Sequence, residues 1–241
     1  PYFEAHARGT AALVAAAARL LQVPPTEATL ARRAALVHDI GRFGVPATIW
    51  DKPGPLTVAD RERMRMHVYY VERIFQRPAA LRTIGLLAAT HHERMDGSGY
   101  HRGVGGSMIS APARILAAAD AFHAMTQPRP HRAAMTADDA AAVLRRDADA
   151  GRLDPAATDA VLAAAGQTPS RARSGGPAGL TARETEVLTL LAQGLPNKGI
   201  ARRLGISPKT AGNHVEHIYT KLAVTSRTGA AMHAMQLGLV D

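Results

Sequence analysis

Cysteine is absent from this 241-residue chain. That removes disulfides, thiolate nucleophiles and cysteine-ligated zinc or iron–sulfur sites, and it fits a reducing compartment such as the cytoplasm. Aromatic residues make up only 4%, so a core has to be built from Ala, Leu, Val, Ile and Met. The longest apolar run, AALVAAAA from Ala11 to Ala18, falls far short of the roughly 18 residues that a membrane span needs. No secretory signal is visible, and the chain begins with Pro1 rather than Met. The first domain therefore reads as truncated at its N-terminus, with no membrane segment in this fragment. Sustained two-residue alternation is missing as well, so the expected fold class is all-α.

What is present is positive charge and histidine. The formal net charge is +9, which points to an anionic partner, nucleic acid first. The excess is spread out: residues 179–241 carry seven Lys/Arg against four Asp/Glu, and residues 1–167 supply a net +4. Between them, TPSRARSGGPAG (Thr168 to Gly179) clusters Pro, Ser, Gly and Arg without apolar periodicity. This predicts a domain over 1–167, a flexible basic linker over 168–178 and a second domain over 179–241.

The helical pattern before the linker predicts helices at about 3–22, stopped by Pro24-Pro25, and at about 26–40, ended by Gly41. A loop with Pro46, Pro53 and Pro55 follows, and then a helix capped by Thr57 with Asp60 three residues on. Further helices are expected at about 78–90, 111–125, 136–149 and 155–165. After the linker, Thr181 and Glu184 form a capping-box pattern for a helix that closes at Gly194. NKGIARRLG is a short helix ended by Gly205. Ser207 followed by Pro208 starts the next, and a last one runs from about Arg227 to Leu237.

Five of the eleven histidines sit where chemistry is expected. His38-Asp39 closes an apolar helix; neighbours on a helix differ by about 100° in direction, so both can reach an ion lying between them. Imidazole and carboxylate together suit iron, manganese, nickel or zinc, and a carboxylate can bridge two ions. His91-His92 offers the same geometry, while His6, His67 and Asp120 each interrupt apolar neighbours. Singly, each reads as a satisfied core or surface residue; the set is what carries weight.

HDIG, HHERMDGSGY and RILAAADAFHAMTQPRPHR together resemble the HD superfamily of metal-dependent phosphohydrolases, its HD-GYP subgroup in particular. The resemblance spans roughly His6 to Arg132. It implies a helical bundle around a dinuclear metal site, with two divalent transition-metal ions, iron or manganese. His6, His38, Asp39 and Asp120 would hold one ion and His67, His91 and His92 the other, with Asp39 bridging. Two such ions activate water and neutralise a phosphodiester during in-line attack. The implied substrate is a cyclic dinucleotide such as cyclic di-GMP. Asp39 and Arg42 are the expected catalytic residues, and Gly99, Tyr100, His101, Arg129 and Arg132 the expected substrate contacts.

Several positions depart from the subgroup. Arg42 replaces the lysine of HDIGK; it keeps the positive charge but cannot donate a proton. His101 stands in place of the proline of GYP, Val104 in place of a nearby leucine, and His123 in place of an aspartate one turn after Asp120. Tyr2 occupies the position of a glutamate that holds a third ion in some members, so two ions are expected.

Residues 179–241 resemble the LuxR/GerE-type helix-turn-helix over nearly the whole module, which implies a small four-helix domain. Asn197–Leu204 would support a recognition helix from Pro208 to Leu222, whose N-terminal part enters the major groove of double-stranded DNA. Lys209, Thr210, Asn213, His214 and His217 are the expected base-facing residues. Lys198, Arg202, Arg203, Lys221 and Arg227 are expected phosphate anchors, against the alternative of an ordinary solvated basic face. Ala230, Met232, Ala234 and Met235 form a stripe where family members dimerise, so a homodimer on DNA is expected. The whole chain then reads as a cytoplasmic DNA-binding transcriptional regulator with a cyclic-dinucleotide phosphodiesterase domain. The alternative is a degenerate HD domain that senses a nucleotide or metal and controls DNA binding.

Overall fold

The computed structural model describes residues 2–77, 79–128, 133–167 and 177–240. Twelve α-helices and four short 3-10 turns, with no strands, make up the regular structure of these residues. The chain divides into two compact units, one of residues 1–148 and 152–169, the other of 149–151 and 170–241. Most of the expected linker lies outside the described residues.

In the first unit α1 (Tyr2–Leu20), α2 (Pro25–Val37), α4 (Val58–Gln76), α5 (Arg82–Ala88) and α6 (Ala111–Thr126) surround the core, with α3 (Ala47–Trp50), α7 (Ala137–Asp149) and α8 (Pro155–Ala164) beside them. Alanine dominates the contacts: Ala17, Ala18, Ala31, Ala34, Ala35, Ala118 and Ala119 are completely buried. Small side chains let helices approach closely, and alanine has the best helix propensity. Larger residues such as Ile115, Leu116 and Leu144 fill the remaining space. Cutting Leu116 to Ala would cost about 2–5 kcal/mol.

Local signals set most boundaries. Thr57 and Asp60 form the reciprocal capping box that starts α4, satisfying two N–H groups that a helix start would otherwise leave open. Two expected helices are shorter than their apolar pattern. α2 stops at Val37, and a 3-10 turn spans Ile40–Gly44. The reason is tertiary: a Cβ on Gly41 would lie 2.0 Å from the His67 carbonyl oxygen, so α4 backs directly onto the glycine. Asp39 accordingly leaves the helix, with φ −98° and ψ 1°, in a sparsely populated region where active-site residues gather. The helix expected at 78–90 is reduced to a 3-10 turn at Ala79–Leu81 and α5 at Arg82–Ala88. His91 and His92 therefore sit in the turn beyond α5. Inside the proline-rich loop, Pro46 introduces the short α3, which the sequence pattern did not announce.

The second unit contains α9 (Ala182–Ala192), α10 (Asn197–Leu204), α11 (Pro208–Leu222) and α12 (Arg227–Gln236). Thr181 and Glu184 make the expected capping box, and Ser207 caps α11 through the Thr210 N–H. Gly205, at φ 66°, closes α10 in the left-handed conformation that glycine adopts without penalty. Leu188, Leu191, Ile200 and Ile218 centre the core. Ala230 and Ala234 are buried in that same core, so half of the expected dimer stripe packs internally; Met232 and Met235 are exposed.

Candidate metal centre

Five separate segments of the first unit deliver seven histidines and aspartates to one place. His6 comes from α1, His38 and Asp39 from the end of α2, His67 from α4, His91 and His92 from the turn after α5, and Asp120 from α6. They form two triads, His6–His38–Asp120 and His67–His91–His92, whose potential ligand atoms lie within 4.8 Å of one another in each. Asp39 stands between the triads. Its Oδ2 is 3.9 Å from His6 Nε2 and 3.8 Å from His38 Nε2. Its Oδ1 is 3.6 Å from His67 Nε2 and 4.0 Å from His91 Nε2. Each oxygen thus faces a different triad.

Backbone carbonyls fix how three of the imidazoles are presented. The Nδ1–H groups of His38, His67 and His91 donate to the carbonyls of Ala35, Met64 and Ala88, at 2.7, 2.6 and 2.8 Å. A carbonyl only accepts, so each Nδ1 carries a proton and each Nε2 turns toward the cluster, as a lone pair where the ring is neutral. In neutral His67 and His91 those lone pairs then confront each other at 3.2 Å, an arrangement that calls for positive charge between them. Two nitrogens sharing one ion at about 2.0–2.1 Å each sit roughly 3.0–3.4 Å apart.

Electrostatics separates the two triads. Burial, reinforced by neighbouring histidines, pushes His91 down to about 3 and His92 well below its usual value. Burial also lowers His67, against the pull of Asp39. These rings are neutral, the form that ligates. Burial would lower His38 too, yet Asp39 and a hydrogen bond to Asp120 outweigh it and raise His38 to about 9. Burial would raise Asp120, but hydrogen bonds from His38 and His6 hold it well below the usual carboxylate range. The His6–His38–Asp120 side therefore demands a cation, and the donor set of imidazole and carboxylate fits a divalent transition metal.

Other expected residues fall around this cluster in different ways. Arg42 donates to Asp39 Oδ2 at 2.8 Å, and its guanidinium lies over the rings of Trp50 and Phe3, at 3.9 and 4.8 Å. The Tyr100 ring is 4.7 Å from that of His92. Gly99 is needed for packing: a Cβ there would lie 2.5 Å from the Glu93 and Arg94 backbone and the His92 carbonyl. His101, which follows a cis peptide, turns away from the cluster, with its Nε2 3.0 Å from Glu72 Oε2. Arg129 and Arg132 lie outside the described residues.

His123 has a role that its sequence position only hinted at. Its Nδ1 is 2.9 Å from His6 Nδ1, so it orients the His6 ring from behind. Burial and the neighbouring His6 push it down to about 4. Gly9 makes room for it, since a Cβ there would lie 1.9 Å from His123 Nε2. The signal available in sequence was its place one helical turn beyond Asp120.

In the second unit the expected DNA-contacting residues are not equivalent. Lys198, Arg202, Arg203 and Lys209 are exposed, Asn213 and His217 half-buried, and Thr210 and His214 buried. Thr210 also belongs to the Ser207 cap of α11. Lys221 donates to Glu184 at 2.6 Å, and Arg227 bonds the Leu195 carbonyl and Asn197. Those two cations are engaged within the unit itself.

Residues 1–157 match the family described as HD domain, and residues 178–234 match the bacterial regulatory proteins of the luxR family. Among curated proteins the chain is similar to 3'3'-cGAMP-specific phosphodiesterase 3 of Vibrio cholerae, 40% identical over 61% of this chain and 32% of that protein. It is also 38% identical, over 60% of this chain and 39% of that protein, to the cyclic di-GMP phosphodiesterase response regulator RpfG of Xanthomonas campestris pv. campestris. The chain thus spans about a third of the length of these curated relatives. Among solved structures, Bd1817, a HDG"Y"P protein from Bdellovibrio bacteriovorus, superposes with a TM-score of 0.56 at 19% identity, covering 66% of this chain and 51% of that one. That likeness extends to the fold.

Proposed function

This chain belongs to the HD domain family, whose phosphohydrolases are metal-dependent, and we propose that its first unit is a phosphodiesterase acting on a cyclic dinucleotide such as cyclic di-GMP. The luxR-type unit would make the whole a DNA-binding transcriptional regulator working in the cytoplasm. The observation that carries the enzymatic reading is the division of the Asp39 oxygens between the two triads. The substrate class is supported by the names of the curated relatives.

In this reading His6, His38 and Asp120 hold one ion and His67, His91 and His92 a second, with Asp39 shared and iron or manganese as occupants. When bound, such a pair supplies a water activated at neutral pH and neutralises charge on the phosphodiester. The chain's own groups do the rest. The carbonyls of Ala35, Met64 and Ala88 keep three imidazoles in the ligating tautomer. Arg42, clamped between Phe3 and Trp50, holds Asp39 and keeps a permanent positive charge where a phosphate arrives; as a guanidinium it stabilises charge without giving up a proton. The Tyr100 ring packs beside that of His92 at 4.7 Å.

The test combines elemental analysis with a turnover assay. Two equivalents of metal and hydrolysis of cyclic di-GMP are expected, both lost in Asp39→Ala. A site that stays empty after reconstitution with iron or manganese would overturn the reading. Metal and tight dinucleotide binding without turnover would make this unit a sensor instead. For the second unit, a homodimer binding half-sites about one DNA turn apart is expected, and footprinting on a bound operator measures that spacing.

A further inference from the structure

Beside Asp39 and Arg42 the first unit has an open cavity of about 730 Å³, inside the range of roughly 300–1,000 Å³ that small-molecule sites occupy. Aromatic residues are rare in this chain, which has four Phe and one Trp. Two of those Phe, Phe3 and Phe43, and the only Trp, Trp50, line this one cavity. Phe43 is 89% exposed, an unusual position for a large apolar ring that contributes nothing to the core. Arg42, whose guanidinium lies over the rings of Trp50 and Phe3, adds a permanent positive charge to the same lining.

We infer that this cavity is a nucleobase subsite: it takes one purine base of the dinucleotide whose phosphodiester lies at the metal centre, with Phe43 as its stacking face. The inference rests on the phosphodiesterase reading for the identity of the ligand. The chemistry selects among occupants. An aliphatic ligand would make no use of the Arg42 cation, and a bare anion would have no use for aromatic walls. A purine offers both a flat π-face and ring-nitrogen or carbonyl acceptors. The position agrees, because Asp39 and Arg42 belong both to the cavity lining and to the metal centre. A phosphate held at the centre therefore places its attached nucleoside at the mouth of the cavity.

Trp50 is the only tryptophan, so intrinsic fluorescence reports on this cavity directly. Titrating the metal-loaded full chain with cyclic di-GMP, and separately with GMP, should give a saturable change in emission. Ribose 5-phosphate, which lacks the base, should give none. Phe43→Ala should weaken both nucleotides roughly 5- to 150-fold, the range seen when one base-stacking ring is removed, and Phe43→Tyr should restore binding. Since Phe43 is exposed, thermal melts of both variants should match the parent, which separates loss of stacking from loss of fold. An unchanged affinity in Phe43→Ala would overturn the subsite. If the parent hydrolyses cyclic di-GMP while Phe43→Ala keeps the same KM, the subsite falls and the phosphodiesterase stands. Phe43-dependent binding of GMP by a protein that hydrolyses no dinucleotide would leave the subsite standing and remove the phosphodiesterase.

Discussion

Both units bury charge, and they treat it in opposite ways. In the luxR-type unit the buried carboxylate of Glu184 is fully answered by the chain. It accepts from the Thr181 N–H at 2.7 Å and from Lys221 at 2.6 Å. In the HD unit His6, His38, His67, His91 and Asp120 are all buried, and the Nε2 atoms of His67 and His91 face each other at 3.2 Å. Nearby backbone carbonyls satisfy the outer nitrogens and leave the inner ones facing one another. Buried charge met by the chain holds a fold together. Buried imidazole nitrogens turned toward one another rather than toward partners in the chain mark a place prepared for something else.

Substitutions can break this contrast, and the largest effect is expected at Asp39. Asp39→Asn removes the shared charge from both triads. Metal affinity, measured by competition with a chromogenic chelator, should fall by more than the roughly 100-fold that bounds the loss of an outer-sphere partner. His123→Ala sharpens the contrast within the HD unit, because His123 is hydrogen-bonded to His6. Affinity in the His6–His38–Asp120 triad should drop about 10- to 100-fold while the all-histidine triad holds, turning the titration biphasic. A uniform loss at both sites would remove His123 from an orienting role.

The luxR-type unit should respond in stability rather than in metal content. Glu184→Ala deletes half of the capping box and strands Lys221, at a cost of about 1–2 kcal/mol read from melts of that unit. The sign with pH follows from the carboxylate. Burial would raise it, but the Lys221 and Thr181 hydrogen bonds hold it below its usual value. Its contribution is therefore complete above the ordinary glutamate range and is lost as pH falls through the lowered folded value. The stability gap between the parent and Glu184→Gln should shrink in that acid window. The smallest effect concerns DNA. Lys198→Ala, at an exposed expected phosphate anchor, should lower the log–log salt slope of binding by about 0.9, whereas Lys221→Ala, whose ammonium is held by Glu184, should leave the slope unchanged and lower the melting temperature.

Much of this was legible in the chain. Thr57, Thr181, Ser207 and Gly205 mark helix ends where the structure has them, because caps act on N–H and C=O groups within one turn. The residue types that meet in the candidate metal centre were readable from HD, HH and a solitary Asp in apolar surroundings. The fold class followed from the absence of alternation. What misled was distance. The apolar pattern over 26–40 continues past Val37, yet the helix ends there because α4 rests on Gly41. His101 follows directly on Tyr100, a neighbour of His92, yet it faces Glu72. Lys221 belonged to a basic helix face, and a residue 37 positions away claims it.

The sequence by itself determined that the chain is helical, where the capped helices begin, that it has two parts, and which chemical groups are available. Those properties depend on residues a turn or less apart, where propensity, periodicity and capping operate. The tertiary structure alone decided that Asp39 offers one oxygen to each triad, that His123 backs His6, and that Phe3, Phe43 and Trp50 share a cavity with Arg42. These depend on how closely separate helices approach, which here is set by glycines at Gly9 and Gly41 where any side chain would collide. No local pattern encodes a contact made across a hundred residues.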